Sequence, residues 1–163
     1  MSVITNFALL NLFMWLMTAL APTVLLSLQP VNLQSEKEAI LLATNQQRAR
    51  KRLSVLKPDP KLMQAAQQYA EMMALQDQMS HNLNGLSLPD KAQKVGYLYR
   101  QISENIALNS RLDGRSVVID QWMESKGHRK NLMTKDITDI GIGVAGPSKR
   151  KLYYYCQLFG AQR

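Results

Sequence analysis

The first 35 residues contain no charged side chain, whereas all 32 charges, 20 Lys+Arg and 12 Asp+Glu, fall in residues 36–163. Twenty-two of those 35 residues are hydrophobic. The uncharged run Ile4 to Leu28 would extend about 37 Å as a helix, enough to cross a ~30 Å hydrocarbon core. The same segment also has the form of a secretory signal peptide, with Phe7 to Leu20 as its apolar centre and Ala19-Leu20-Ala21 as a small-x-small cleavage motif. The expectation is therefore a membrane-directed leader, signal peptide or anchor, over residues 1–34, and a basic domain over residues 35–163 that carries the whole net charge of +8. Lys37 and Arg48 follow the leader and no Lys or Arg precedes it. For an uncleaved leader the positive-inside rule, taken literally, would place the domain in the cytoplasm. The one cysteine, Cys156, excludes an intrachain disulfide framework and every zinc finger built on cysteine pairs.

Within the domain, Ser35 and Glu38 have capping-box spacing and predict a helix from Glu36 to Leu53. Its basic end, Arg48, Arg50, Lys51 and Arg52, suits a helix C-terminus and is not a specific nucleic-acid signal. Asp59 and Pro60 supply a cap and a first turn. The second helix then buries Leu62, Ala65, Ala66, Tyr69, Ala70 and Met73 along one face and runs to about Gln78. A short helix is expected over Pro89 to Lys94, a strand over Gln101 to Leu108, and a helix over Ser116 to Ser125 that stops at Gly127. Asp139 to Ala145 and Leu152 to Phe159 read as two strands of a hairpin. Helices early and strands late, without alternation, indicate an α+β domain.

There are two histidines, each just after an expected helix: His81 in M-S-H-N and His128 in G-H-R. Glu104 lies in S-E-N-I-A, and Glu124 is four residues before His128. Two His and two Glu converging would suit a divalent metal such as zinc, held by the imidazoles, with the carboxylates orienting a water or taking its proton. The alternative is two hydrogen-bonded loop histidines. There is no H-E-x-x-H, no G-x-S-x-G and no phosphate-cradling glycine loop, so no standard hydrolase or nucleotide motif supports an enzyme. Cys156 has no neighbour in sequence that would activate its thiol and reads as packed.

Taken together, Asn45 and Arg48, K-P-D-P-K-L-M-Q-A-A, M-S-H-N, S-E-N-I-A, W-M-E-S-K-G-H-R-K-N-L-M, I-G-I-G-V and the tyrosine-rich strand ending in F-G resemble the CAP superfamily. This comprises the cysteine-rich secretory, antigen 5 and pathogenesis-related proteins, or SCP domain, and the likeness is to its cysteine-poor bacterial branch. The resemblance implies a three-layer α-β-α sandwich with a small antiparallel sheet, here preceded by an N-terminal hydrophobic helix. It implies a cleft lined by His81, Glu104, Glu124 and His128, with zinc held by His81 and His128, and an extracytoplasmic location. It leaves two functions open. One is a non-enzymatic module binding a lipid, a small apolar ligand, a partner protein or another cell-envelope component. The other is a zinc-dependent, peptidase-like hydrolase with Glu104 or Glu124 as base. Three positions differ from the common pattern: Ser103 stands in place of Gly, Lys126 in place of Pro and Lys91 in place of Arg.

Overall fold

The apolar residues of the domain divide into two sets that lie on opposite faces of one sheet. The computed structural model describes residues 32–163. The expected hydrophobic helix of the leader lies outside the described residues. In chain order the elements are α1 (Leu33–Arg50), β1 (Lys57–Pro58), α2 (Pro60–Gln76), α3 (Leu88–Lys94), β2 (Tyr99–Asn109), α4 (Gly114–Ser116), α5 (Lys126–Leu132), β3 (Asp139–Ala145) and β4 (Tyr153–Gln162). A 3-10 turn at Leu83–Gly85 precedes α3, and α4 runs directly into a π-helical segment, Val117–Trp122.

The strands are ordered β1-β3-β4-β2. β3 and β4 form the expected antiparallel hairpin, and β2 pairs antiparallel with the other side of β4. The sheet is thus antiparallel across its three long strands. β1 adds a two-residue parallel edge, because the chain passes beside β3 between α1 and α2 and bonds to it through Lys57 N to Thr138 O and Asp59 N to Ile140 O, each 3.0 Å.

Pleat alternation then assigns the layers. Ile140, Ile142, Val144, Tyr155 and Phe159 pack under α1, the π segment and α5 with Ile40, Val117, Val118, Trp122 and Leu132. Tyr154, Cys156, Leu158 and Ile106 pack under α2 and α3 with Leu62, Ala66, Tyr69, Met73 and Ala92. Each fully buried Leu, Ile or Phe contributes roughly 2 kcal/mol, which is how a seven-residue helix such as α5 stays folded although its own propensity could not hold it. The glycines of I-G-I-G-V have a packing cause. A Cβ at Gly141 would lie 2.1 Å from Leu62 O, and one at Gly143 would lie 2.1 Å from Ala66 O, so α2 rests directly on the β3 backbone.

Several element boundaries differ from expectation. α1 starts at Leu33, not Glu36, because Asn32 is the cap: its Oδ1 accepts from Gln34 N and Ser35 N, while Ser35 Oγ turns back to Asn32 O at 2.7 Å. Glu36, in the first turn of α1, crosses to accept from Gly114 N at 2.6 Å. α2 ends at Gln76 on the left-handed residue Asp77, φ 53°. The expected single helix from Ser116 to Ser125 is interrupted at Ser125, not at Gly127. Ser125 is extended, its side chain caps α5, and Gly127 lies within the first turn of that new helix.

Candidate functional site

β2 is an edge strand, and three of the four expected site residues, His81, Glu104 and His128, lie on it or bond to it. Glu104 points from β2 toward the α2 and α3 layer, where its side chain is 3% exposed. His81 is in the loop after α2 and is solvent-exposed. That loop is fixed by Tyr69, whose hydroxyl donates to Ser80 O at 2.6 Å and accepts from Leu83 N at 3.1 Å. His81 Nδ1 is 2.7 Å from Glu104 Oε1. A carboxylate only accepts, so Nδ1 carries the proton, and in the neutral imidazole Nε2 keeps its lone pair.

The other oxygen of Glu104 is also engaged. Lys91, on α3, places Nζ 2.5 Å from Glu104 Oε2, with its side chain 1% exposed. The same ammonium donates to His81 O at 3.0 Å and sits 3.2 Å from the centroid of the Tyr69 ring. A capping box between Ser87 and Asp90 sets the start of α3 and hence the position of Lys91. The Cys156 thiol approaches Glu104 Oε2 at 3.8 Å. Burial, and then the Glu104 anion, push that thiol well above its usual pKa, so Cys156 is the inert, packed group its sequence context indicated.

His128 is in the first turn of α5, half-buried, on the other side of the strand edge. Its backbone carbonyl accepts from Asn105 Nδ2 at 3.2 Å. Burial lowers its pKa, and the positive charge of a protonated His81 lowers it further. The two imidazoles are therefore near enough to repel each other as cations. Glu124 lies on the turn before Ser125, is exposed, and has no hydrogen bond or ion pair among the described residues.

Residues that the sequence did not mark as functional close the free edge of β2. Asn131 Nδ2 donates to Glu104 O at 3.0 Å and to Asn105 Oδ1 at 2.9 Å, and Trp122 Nε1 donates to Ile106 O at 3.2 Å. The wider π turn carries the indole to this reach. Asn105 continues inward to Gln157, whose Nε2 donates to Thr44 Oγ1 at 2.9 Å. Lys91 was noted only as a replacement for Arg, and that is the signal that could have found it: a cation at a position where relatives carry another cation.

The structure thus joins His81, Glu104 and Lys91 by direct contact, brings His128 within electrostatic range, and leaves Glu124 outside the network. Among the described residues no three His, Cys, Asp or Glu side chains are grouped so as to hold a metal ion. The Glu104–His81 hydrogen bond is of the kind that, in a neutral imidazole, turns Nε2 outward with its lone pair free for a ligand. Glu104 itself is not placed as a metal ligand, because both of its carboxylate oxygens are occupied.

This sheet, with helices on both faces and a His/Glu/Lys cluster at one edge strand, defines an SCP-type domain. Residues 41–159 match the model of the cysteine-rich secretory protein family, CAP, and the chain belongs to that family. It is 36% identical over 126 residues to the membrane protein YlbC of Bacillus subtilis, covering 77% of this chain and 34% of that one. It is 28% identical over 115 residues to YkwD of the same organism, covering 70% and 44%. The chain therefore spans less than half the length of these relatives. Among solved structures, an extracellular SCP-domain protein of Bacillus anthracis aligns with a TM-score of 0.70 at 28% identity, over 79% of this chain and 41% of that one. An outer surface protein of Borrelia burgdorferi shares the fold with a TM-score of 0.73 at 20% identity, over 82% and 97%.

Proposed function

We propose that the chain is an extracytoplasmic, non-enzymatic binding module that holds a lipid, a small apolar ligand or a cell-envelope partner, with His81 and His128 forming a divalent-metal site at the rim of the cleft. The observation that carries this reading is the immobilised Glu104. A hydrolytic base must be free to take a proton from water, whereas both oxygens of Glu104 are committed, one of them to a buried ammonium. A bound zinc ion would supply positive charge for an anionic ligand group. His81, oriented by Glu104, would hold it through Nε2 together with His128.

An extracytoplasmic location is supported by the apolar leader and by relatives named as extracellular, outer-surface and membrane proteins. A recess of about 550 Å³ lies between α2 and α3; Met72 and Leu86 give it an apolar wall, and Asn84, Asp90, Gln93 and Lys94 a polar one, so a ligand there would be amphipathic. The hydrolytic alternative draws on Glu124, which is exposed and so accessible to solvent.

The deciding experiment is zinc calorimetry on the full chain in detergent, beside the His81→Ala/His128→Ala double variant. The expected result is uptake by the native protein and none by the variant; equal uptake would overturn the metal site. Organic extraction of the purified protein should release a lipid or small apolar compound. Peptide or ester turnover lost on Glu124→Gln would replace the binding reading with the hydrolytic one.

A further inference from the structure

We propose that the C-terminal end of α1 and the loop after it form a docking surface for an anionic lipid bilayer: Arg50, Lys51, Arg52, Lys57 and Lys135 meet the lipid phosphates, and Val55 enters the layer beneath them. The surface uses none of the residues of the His81 site and does not depend on a metal there.

Arg50 lies in the last turn of α1, where the helix dipole favours a cation. The dipole does not account for the others: Lys51 is the cap, Arg52 lies beyond it, Lys57 is in β1, and Lys135 follows α5. Arg48 is what gathers them. Its guanidinium is fully buried, donates to Ser54 O in the basic loop at 2.8 Å, and reaches Leu132 O and Thr134 O at the end of α5 at 2.7 and 2.8 Å. Lys57 N bonds to Thr138 O at 3.0 Å on the same side. Five exposed cations are thus assembled over a sixth, and among the described residues none of the five side chains makes a hydrogen bond or an ion pair. Asp136 is an exposed carboxylate beside them, whereas Asp59 caps α2 and Asp139 accepts from Tyr97. Like charges held together repel, so stability alone gives no reason for this assembly.

Arg52 makes the same point at a single position. Arg52 N bonds to Ala49 O and Leu53 N to Arg48 O, the Schellman pattern, with Arg52 itself left-handed at φ 56°. Glycine is the residue that such a helix end favours, so the arginine is there for its charge. Two aliphatic side chains stand out beside the cations: Val55 in the loop is 56% exposed, and Leu42, about two turns before Arg50 on α1, is 61% exposed. A soluble polyanion would use the cations and leave these side chains idle, whereas a bilayer interface takes both. The leader expected over residues 1–34 would deliver the domain to such a surface.

The test places the full chain, with Val55→Cys carrying a polarity-sensitive fluorophore, in nanodiscs of phosphatidylcholine alone or mixed equally with phosphatidylglycerol. Cys156 is buried and does not compete for the label. The label should shift to the blue when phosphatidylglycerol is present. High salt, which screens the charges, and Lys51→Glu/Arg52→Glu should each abolish that shift. The same label on Leu75→Cys, 82% exposed at the other end of α2, should not respond. Equal emission at position 55 in the two lipids overturns the proposal. Arg52→Gly separates docking from the helix end: its denaturant midpoint should be unchanged or raised while the shift weakens. A lowered midpoint with the full shift retained would show that Arg52 serves the fold, and would overturn the proposal. A label that responds to inorganic polyphosphate in detergent but not to phosphatidylglycerol would assign the cations to a soluble polyanion and overturn it as well.

Discussion

Tyr69 holds the histidine loop through a single hydroxyl that donates to Ser80 O and accepts from Leu83 N, while its ring faces the Lys91 ammonium. Tyr69→Phe keeps the ring and removes the hydroxyl, leaving a buried N–H of Leu83 without its partner. A loss of about 1–2 kcal/mol in denaturant unfolding is expected, with faster amide exchange over Ser80 to Leu83 and little change elsewhere. A uniform increase in exchange would mean that the hydroxyl serves the whole fold and not this loop. His128 allows a pH experiment at the same scale. Burial lowers its folded pKa, so the unfolded chain takes up a proton before the folded one does. The stability linked to His128 is therefore complete above the ordinary histidine value of about 6.5 and is lost as pH falls below it. His128→Gln should flatten the stability curve below about pH 6.5; an unchanged slope would place the acid sensitivity on another group.

At the scale of elements, the contact between α2 and β3 has no slack. Gly143→Ala would put a methyl group 2.1 Å from Ala66 O, which is helix backbone and cannot rotate away. The expected cost is about 3 kcal/mol or loss of folding, to be measured by thermal or denaturant midpoints. At Gly127, where an added Cβ meets nothing within 4 Å, Ala should be close to neutral; comparable losses at the two sites would refute the close-packing explanation. The opposite end of α2 is tied as well. Asp77 pairs with Arg150 at 3.0 Å and accepts from Tyr154 at 2.7 Å, which fastens the β3–β4 connection to the helix terminus. Most of these elements were legible in the sequence because apolar spacing and caps reveal them: α2 from Asp59 and its Leu62 to Met73 stripe, and the hairpin from its alternation. The helix before His128 was not, because apolar spacing cannot distinguish a π turn from an α turn, and because Gly127 is the more conspicuous helix breaker although Ser125 makes the break.

For the whole domain, the two apolar cores share one sheet, so neither helical layer has a face to bury once the other is gone. Unfolding should be a single transition. In a Trp15→Phe background, Trp122 fluorescence on one side and far-UV circular dichroism should give coincident curves, and two separated transitions would show that the layers part independently. The α+β sandwich and the positions of His81, Glu104 and His128 follow from motifs that the chain displays openly. What the motifs did not reveal is the polar support beneath them. Asn131, Asn105, Gln157 and Thr44 are recognised only once the order of the sheet is known, because their partners are 23 to 113 residues away in sequence.

β2 sends Glu104 to one face of the sheet and its neighbour Asn105 to the other, in register with Leu158 and Gln157 of β4. The identity of the site is therefore carried by parity. Deleting one residue within β2 before Glu104, with the start of the strand held in register, would bring the Asn105 carboxamide to Lys91 and drive the carboxylate beneath α1 and α5, where Gln157 and Asn131 offer it no cation. The same one-residue change in the segment between α3 and β2 would be absorbed by the loop. Length variation in this part of the chain should consequently be tolerated up to Leu98 and forbidden from there to Asn105, a sharp boundary that a library of single-residue indels would locate.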